Sequence, residues 1–305
     1  MAVQSRLEML LERAWQTRTA SFPTTIQFDY PLDTALISLT GTQCALDCAH
    51  CGRHYLRHMI PIWEAKDRVA ATAPSALISG GCDSEGRVPV TAHLDQVAAL
   101  RPGRLLNWHV GLIGEREAEA ISPYVDVISM DFVGDDETIH EVYSLDKTVT
   151  DYVKSYQILR RYGRVLPHIT IGLFGGQLGH ERPAMEKLEQ LGLDGLVFLV
   201  LTPTPGTRYA DCSPPTVTDV AEILAEARLR FPDSPIYLGC MRPKGRYRTE
   251  LDPLAVRAGV NRIVSPSRPA VHLAKSLGLL IVRSRECCAL SSPRRWPAPS
   301  TATSA

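Results

Sequence analysis

The sequence has no excess charge of either sign and no long apolar run. Its 305 residues include 33 Lys+Arg and 33 Asp+Glu, which gives a formal net charge of zero, and no block of five like charges occurs. This balance disfavours binding to nucleic acid or membrane through bulk charge. No apolar stretch approaches the ~20 residues of a membrane-spanning helix, and residues 6–13 carry four charges where a signal peptide would be apolar. We therefore expect a cytoplasmic protein without nucleic-acid or membrane partners.

Short apolar runs recur along the chain, and a polar, helix-forming stretch follows each of them. The eight runs are Ala35–Leu39, Ala76–Ser79, Leu105–Val110, Val125–Met130, Val165–Ile171, Leu196–Leu201, Pro235–Leu238 and Asn261–Val264. Strands that are buried on both faces have this continuous apolar pattern, and their alternation with helices indicates a parallel sheet. Eight such units predict an α/β fold of the TIM-type (β/α) barrel class, with an open, doubly wound sheet as the alternative.

The ends of the chain differ in composition from the middle. Residues 5–18 have apolar side chains at helical spacing, so we predict a lead-in helix within residues 1–24. The barrel domain is predicted to span residues 25–290. Residues 291–305 are rich in Pro, Ser, Thr and Ala without periodicity, and they are predicted to be a disordered tail.

Three of the eight cysteines lie close together in the segment LTGTQCALDCAHCGRHY, directly after the first apolar run. Cys44, Cys48 and Cys51 have the spacing C-x3-C-x2-C. Three thiolates on one loop can hold a [4Fe–4S] cluster and leave its fourth iron without a protein ligand. A zinc site completed by His50 or His54, or a loop of three reactive thiols, are alternatives that the spacing leaves open.

This segment resembles the signature of the radical S-adenosylmethionine (SAM) enzymes, although His50 stands where that family usually has an aromatic residue. The resemblance implies a SAM-binding [4Fe–4S] cluster on the three cysteines and SAM-binding residues at the ends of later strands. Ser79, Gly80 and Gly81 correspond to the segment that binds the methionine amino group. Asp131 is similar to the residue near the ribose, and Ile171 and His50 would lie against the adenine.

Within that superfamily the chain resembles biotin synthase and, more closely, the archaeal-type two-protein lipoyl synthases. The phrases ISGGCDSEGRVPV, MDFVGDDETIHEVY, LTPTPGT, LGCMRPKGRYRTELDPLAVRAGVNRIVSPS and the later ECC carry this likeness. It implies an auxiliary [4Fe–4S] cluster as a sulfur source, for which the candidate ligands are Cys82, Cys240, Cys287 and Cys288. Any single one of them is also a plausible core residue, since free cysteine is often buried. Cys212 is left out of the set.

Three further residues are candidates for the catalytic site. His109 and His168 lie in the third and fifth apolar runs, and Arg242 lies near the position of an arginine ligand in biotin synthase. The histidines would bind substrate, the SAM carboxylate or iron, or they are ordinary buried side chains. Lys244, Arg246 and Arg248 form either a solvated loop or an anchor for an anionic group.

The resemblance implies an enzyme that cleaves SAM to a 5′-deoxyadenosyl radical and inserts sulfur into an unactivated aliphatic carbon, in lipoyl formation. The expected partners are a small-molecule or protein-bound acyl substrate on a lipoyl domain, a ferredoxin or flavodoxin as electron donor, and a paralogous radical SAM protein. Two alternatives stay open. One is a radical SAM isomerase or lyase that resembles methylornithine synthase, and the other is a non-catalytic iron–sulfur or zinc scaffold.

Overall fold

The computed structural model describes residues 2–290. Parallel strands alternate with helices along most of the chain. The strands are β1 (Thr25–Asp29), β2 (Thr34–Ser38), β3 (Ile60–Pro61), β4 (Ser75–Ser79), β5 (Leu105–His109), β6 (Val127–Asp131), β7 (Val165–Ile171), β8 (Leu196–Val200), β9 (Ile236–Leu238), β10 (Arg262–Val264) and β11 (Leu280–Ser284). The helices are α1 (Ala2–Ser21), α2 (Ala65–Arg68), α3 (Leu94–Leu100), α4 (Glu115–Ile121), α5 (Asp136–Tyr143), α6 (Val149–Tyr162), α7 (Glu181–Leu191), α8 (Val217–Arg230), α9 (Arg246–Arg257) and α10 (Arg268–Ser276). Three short 3-10 turns cover Tyr55–His58, Ile62–Glu64 and Ser122–Tyr124.

The strands form one parallel sheet in the order β11-β1-β10-β9-β8-β7-β6-β5-β4-β2-β3. All eight apolar runs form strands, and the predicted barrel architecture is confirmed. The strand before the cysteine loop is nevertheless the second one, because β1 precedes it. The strand β1 lacks an apolar run because Gln27 and Asp29 alternate with Ile26 and Phe28, and all four side chains are buried.

The seam of the barrel between β1 and β2 is covered by the segment that follows β11. The backbone N–H of Asp33 donates to the Arg285 carbonyl at 2.9 Å, and the Cys287 N–H donates to Thr34 Oγ1 at 2.8 Å. Further along, Ala289 and Leu290 pack among inward side chains of four strands. Those side chains are Val127, Leu166, Val197 and Tyr237. We call residues 287–290 the floor segment, because it fills the barrel interior near the amino-terminal ends of these strands.

Helix α1 packs against α8 and α9 on the outside of the barrel. It covers the region where a lead-in helix was predicted. The predicted tail at residues 291–305 lies outside the described residues. Between residues 2 and 290, no helix is long and apolar enough to cross a membrane.

Candidate functional site

The cysteine loop follows the carboxyl end of β2, where parallel barrels carry their active sites. Backbone N–H groups are directed at two of its thiols. The Cys82 N–H donates to Cys44 Sγ at 3.3 Å. Burial raises the pKa of Cys51, and the nearby backbone N–H groups of Tyr55, Arg53 and His54 oppose that rise. Such donors stabilise thiolate sulfur.

The thiols of this loop are buried close to one another. Burial raises the pKa of Cys48, and the neighbouring Cys51 and Cys44 raise it further. Burial also raises the pKa of Cys82 to about 12, with a further contribution from Cys44. A group of thiols with raised pKa values becomes a group of thiolates when a cation binds, because the positive charge offsets both burial and mutual repulsion.

The donor set fits a [4Fe–4S] cluster. Within the part of the chain that the structure describes, no three His, Cys, Asp or Glu side chains lie close enough together to hold one metal ion. The thiolates of a cluster bind different iron atoms and so lie farther apart than the ligands of one ion. Three half-buried thiols, with a backbone N–H bonded to Cys44 Sγ, match the hydrogen bonding that such clusters use.

Gly80 and Gly81 attach the cysteine loop to the end of β4. The Gly81 N–H donates to Thr40 Oγ1 at 2.7 Å, and Thr40 Oγ1 donates to the Gln43 carbonyl at 2.8 Å. A Cβ atom on Gly81 would lie 1.9 Å from Gln43 O and 2.6 Å from Cys44 Cβ. Glycine at position 81 is therefore required by the approach of the cysteine loop itself. The predicted contact of both glycines with SAM remains a prediction.

Asp131, at the end of β6, is the electrostatic centre of the site. Burial would raise its pKa, but the nearby His109, His168 and His50 outweigh burial and lower the pKa to about 2. Its Oδ1 lies 3.5 Å from His109 Nε2, and the two side chains keep 39% and 32% of their surface accessible. Groups that are surrounded by protein and yet accessible line an internal space, which we call the lumen.

The two candidate histidines differ in protonation. Burial lowers the pKa of His109, but Asp131 and Cys287 together raise it by more than burial lowers it, so the net shift is upward. Burial and the charge of His109 lower the pKa of His168 to about 4. Because His168 Nδ1 lies 3.0 Å from the Leu166 carbonyl, that nitrogen carries the proton and Nε2 keeps its lone pair. The rings stack with centroids 5.7 Å apart.

His50 is a residue of the cysteine loop, and its ring packs against α5. Its ring meets the Tyr143 ring edge-on at 5.7 Å, and burial lowers its pKa, although Asp131 opposes this shift. Among the described residues, its buried Nδ1 has no hydrogen-bond partner. An unpaired polar atom beside the cysteine loop is consistent with a bound polar group there.

The second set of cysteines divides between two places. Cys82 lies beside Cys44, whereas burial and the nearby Cys287 raise the pKa of Cys240. The Cys288 thiol, the Ala289 N–H and the Asn107 amide donate to Cys287 and lower its pKa despite burial. The Asn107 nitrogen lies 3.8 Å from Cys287 Sγ. Cys288 is itself buried, and its hydrogen bond to Cys287 together with this burial raises its pKa.

Arg242 is a buried residue close to Cys240, and its guanidinium is bonded to other groups of the protein. It forms a two-bond ion pair with Asp252 at 2.9 and 3.1 Å and also donates to the carbonyls of Gly239 and Val264. Its side chain is fully buried. These bonds occupy its donors, so the structure gives Arg242 the role of joining three segments near the carboxyl ends of β9 and β10. Of the basic run, Arg246 pairs with Glu250, and Arg248 donates weakly to the Arg242 carbonyl at 3.3 Å.

The upper lumen combines these polar groups with aliphatic side chains. In the sheet register Leu36 pairs with Leu77, and Leu77 pairs with Asn107. Asn107 faces the lumen, where it contacts Cys287, so Leu36 and Leu77 face the lumen too. Leu36 is 40% exposed although it lies on an interior strand. Leu199 and Cys287 both pack against the apolar cluster that contains Ala289 and Leu290 of the floor segment. The lumen therefore has an aliphatic wall next to a thiol.

Two other predicted residues lie at strand ends that face the cysteine loop. Ser79 Oγ donates to the His109 carbonyl at 2.9 Å and so joins the ends of β4 and β5. Ile171 is fully buried at the end of β7. Their contacts with SAM remain predictions.

Sequence reasoning missed several residues of the site. Thr40 positions Gly81, Asn107 holds Cys287, and Ser129 Oγ donates to Asn107 Oδ1 at 2.9 Å. Asp29 and Arg262 are buried polar residues of the lumen wall, and Arg262 donates to the Cys288 carbonyl at 2.6 Å. A polar residue inside an otherwise apolar strand was the available signal, as in LLNWH and VISMD.

No protein-family model matches the sequence, and no curated protein matches it either. Similar solved structures include methylornithine synthase (PylB), with a TM-score of 0.63 and 16% identity over 91% of this chain and 89% of that one. The FeFe-hydrogenase maturase HydG from Carboxydothermus hydrogenoformans has a TM-score of 0.67 and 14% identity over 90% of this chain and 72% of that one. At these identities the similarity establishes the architecture alone, and the chain has the parallel α/β barrel fold of these two proteins.

Proposed function

We propose that this protein is a radical SAM enzyme whose [4Fe–4S] cluster is held by Cys44, Cys48 and Cys51. The observation that carries the proposal is the cysteine loop itself. It lies at the carboxyl end of a barrel strand, its thiols are grouped, and backbone N–H groups point at two of the sulfurs. The fold shared with methylornithine synthase and HydG is consistent with this chemistry. When bound, the cluster would supply the electron that breaks the C5′–S bond of SAM.

In this proposal the residues of the chain bind and orient SAM. The ends of β4 and β6 provide Ser79 and Asp131 on either side of the site. Asp131 stays ionised because its pKa is about 2, so it can accept hydrogen bonds from ribose hydroxyls. His50 and Ile171 provide a flat and an apolar surface for the adenine. The aliphatic lumen keeps water away from the reacting carbon.

The proposal extends to insertion of sulfur into an aliphatic chain, most specifically an octanoyl group in lipoyl formation. Support comes from the lumen, where the thiolate-stabilised Cys287 lies with Cys240 near the leucine wall. These thiols, with Cys288 and the imidazoles of His109 and His168 as further ligand candidates, would hold the auxiliary cluster. Cys82 was included in the predicted ligand set, and its place beside Cys44 favours a role near the first cluster. A lipoyl-domain substrate and a paralogous partner belong to this proposal.

The first part is tested with Cys48→Ala and with Cys212→Ala as a control outside the predicted ligand set. After anaerobic reconstitution, we expect the Cys48 variant to lose the first cluster and to produce less than about 1% of the wild-type 5′-deoxyadenosine from SAM and dithionite. Cys212→Ala should match the wild type. Production of 5′-deoxyadenosine at the wild-type rate by Cys48→Ala would refute the assignment.

The second part is tested with iron analysis and an octanoylated lipoyl-domain peptide. Two four-iron clusters give about eight iron atoms per chain, and the double variant Cys287→Ala, Cys288→Ala should fall to about four. That variant should still cleave SAM but form no thiolated product by mass spectrometry, with the paralogous partner present in parallel reactions. About four iron atoms in the wild type, with hydrogen abstraction and no thiolation, would favour the isomerase or lyase. Zinc alone would favour a scaffold protein.

A further inference from the structure

Two buried polar atoms without partners lie beyond the carboxyl ends of the adjacent strands β9 and β10. Within residues 2–290, Arg248 Nε and Ser267 Oγ are buried and have no hydrogen-bond partner. Arg248 is the third residue of α9, the helix that follows β9, and Ser267 follows β10 by three residues. Both are close to Ser265, because Arg248 Nη1 lies 3.5 Å from the Ser265 carbonyl oxygen. A buried donor without a partner is costly, so this pair is consistent with a polar group that binds there.

Arg248 is bonded only weakly to the protein. Its two bonds run to the carbonyls of Arg242 and Ser265, at 3.3 and 3.5 Å. Among the described residues, Arg18 and Arg104 also have a buried Nε without a partner, but each of them donates to a carbonyl at 3.0 Å. The guanidinium of Arg248 therefore keeps donor capacity that the protein itself does not use.

The charge of Arg248 is also poorly neutralised. Both acidic residues of α9 are paired with other arginines, Asp252 with Arg242 and Glu250 with Arg246. Burial and the charge of Arg242 lower the pKa of Arg248. An anion bound beside Arg248 would offset both effects, because an opposite charge stabilises a half-buried cation.

This place adjoins the lumen and its thiols. Cys240, on the loop between β9 and α9, is close enough to oppose the fall in the pKa of Arg248, and Cys287 is close to Cys240 in turn. The strands β9 and β10 arise from the seventh and eighth apolar runs, and in parallel barrels the loops after the seventh and eighth strands often bind an anionic group of the substrate. One edge of a guanidinium offers two parallel N–H groups that match the two oxygens of a carboxylate. The Ser267 hydroxyl can donate a third bond.

We propose that Arg248 and Ser267 bind a carboxylate group of the substrate, and that the aliphatic part of the substrate extends from there into the lumen. This inference rests on the proposed function, since it assigns the anionic end of the acyl substrate. The carboxylate belongs either to a free medium-chain acid or to an acidic residue beside the acylated lysine of a carrier protein. Both sources present the same group to Arg248, and they are distinguished by two series of ligands.

The first series measures binding to the reconstituted protein by calorimetry, with octanoate as the probe and octanamide as its neutral counterpart. We expect octanoate to bind about tenfold more tightly than octanamide, because its bonds to the guanidinium are charge-assisted. Arg248→Gln should remove this difference, Arg248→Lys should keep part of it, and Ser267→Ala should raise the Kd of octanoate severalfold. Arg246→Gln changes an exposed residue of the same basic run and should leave the Kd unchanged. Circular dichroism checks that each variant is folded.

The second series uses two octanoyl-lysine peptides that carry aspartate or asparagine next to the lysine. If the carrier provides the carboxylate, the aspartate peptide binds about tenfold more tightly than the asparagine peptide, and Arg248→Gln removes this preference. The site is overturned if the charged and neutral members of both pairs bind equally to the wild type, or if the preference survives in Arg248→Gln. Failure of the wild type to cleave SAM with dithionite would instead contradict the proposed function. The binding series needs no turnover and would still test the site.

Discussion

The mouth of the barrel, which is the end that carries the cysteine loop, and the floor segment shift the pKa values of their cysteines in opposite directions. At the mouth, burial and neighbouring thiols raise the pKa of Cys48 and Cys82. At the floor, three hydrogen-bond donors lower the pKa of Cys287 although it is buried. The mouth therefore depends on a bound cation to form thiolates, whereas the floor forms one thiolate with protein groups alone.

The largest effect on cluster binding is expected from a substitution that displaces the cysteine loop. Gly81→Ala places a methyl group 1.9 Å from the Gln43 carbonyl and 2.6 Å from Cys44 Cβ, so the cysteine loop must move. Gly80→Ala is the matched control, because its methyl group would lie 3.2 Å from Thr40 Oγ1 and a shift of a few tenths of an ångström in that side chain relieves the contact. We expect Gly81→Ala to lose the first cluster, with iron falling by about four per chain, and Gly80→Ala to keep it.

The measurement is iron content and the visible absorption of reconstituted protein, with circular dichroism as a check on folding. Both variants should keep the same helical signal, since the change is confined to a loop. A Gly81→Ala protein with full iron content would show that the close approach to Cys44 does not limit cluster binding.

An intermediate effect is expected for thiol reactivity in cluster-free protein. Iodoacetamide reacts with thiolates, so Cys287 should be alkylated with a midpoint below the usual thiol pKa, and Cys48 and Cys82 only at higher pH. Asn107→Ala removes one donor and should move the Cys287 midpoint upward by a fraction of a pH unit. Peptide mass spectrometry reads each site separately. A shared midpoint for Cys48 and Cys287 would remove the contrast between mouth and floor.

The smallest effect concerns Asp131 and His109, between mouth and floor. The folded state raises the pKa of His109 chiefly through Asp131. The Asp131–His109 pair therefore stabilises the protein below pH 6.5, and this stabilisation is lost as the pH rises through the higher pKa that His109 has in the folded state. Asp131→Asn should therefore lower Tm by a few degrees at pH 6 and by less at pH 9. Asp146→Asn, at an exposed position, is the control. A Tm difference that is the same at both pH values would contradict this pairing.

Much of the mouth could be predicted from the sequence because the residues that form it lie close together along the chain. The spacing of Cys44, Cys48 and Cys51 and the apolar run before them specify a loop at a strand end. The eight apolar runs gave the strands because each is buried on both faces. The strand β1 was missed because Gln27 and Asp29 turn their polar side chains inward, which breaks the run that marks a buried strand.

The floor could not be predicted in the same way because its contacts join distant parts of the chain. Cys287 contacts Asn107 and Thr34, which are 180 and 253 residues away along the sequence. No local sequence pattern predicts such contacts. Arg242 also shows this limit. Its sequence position suggested a ligand, whereas its partner Asp252 on α9 gives it a framework role.

The floor segment also has a consequence for synthesis on the ribosome. Residues 280–290 close the seam between β1 and β2, yet they emerge after every other strand and helix of the barrel. Until they emerge, the polar groups of Thr34 and Asn107 have no Cys287 to bind, and the inward side chains of β6 to β9 stay uncovered. The barrel interior of a nascent chain is thus open to solvent, and docking of this late segment is the step that seals it.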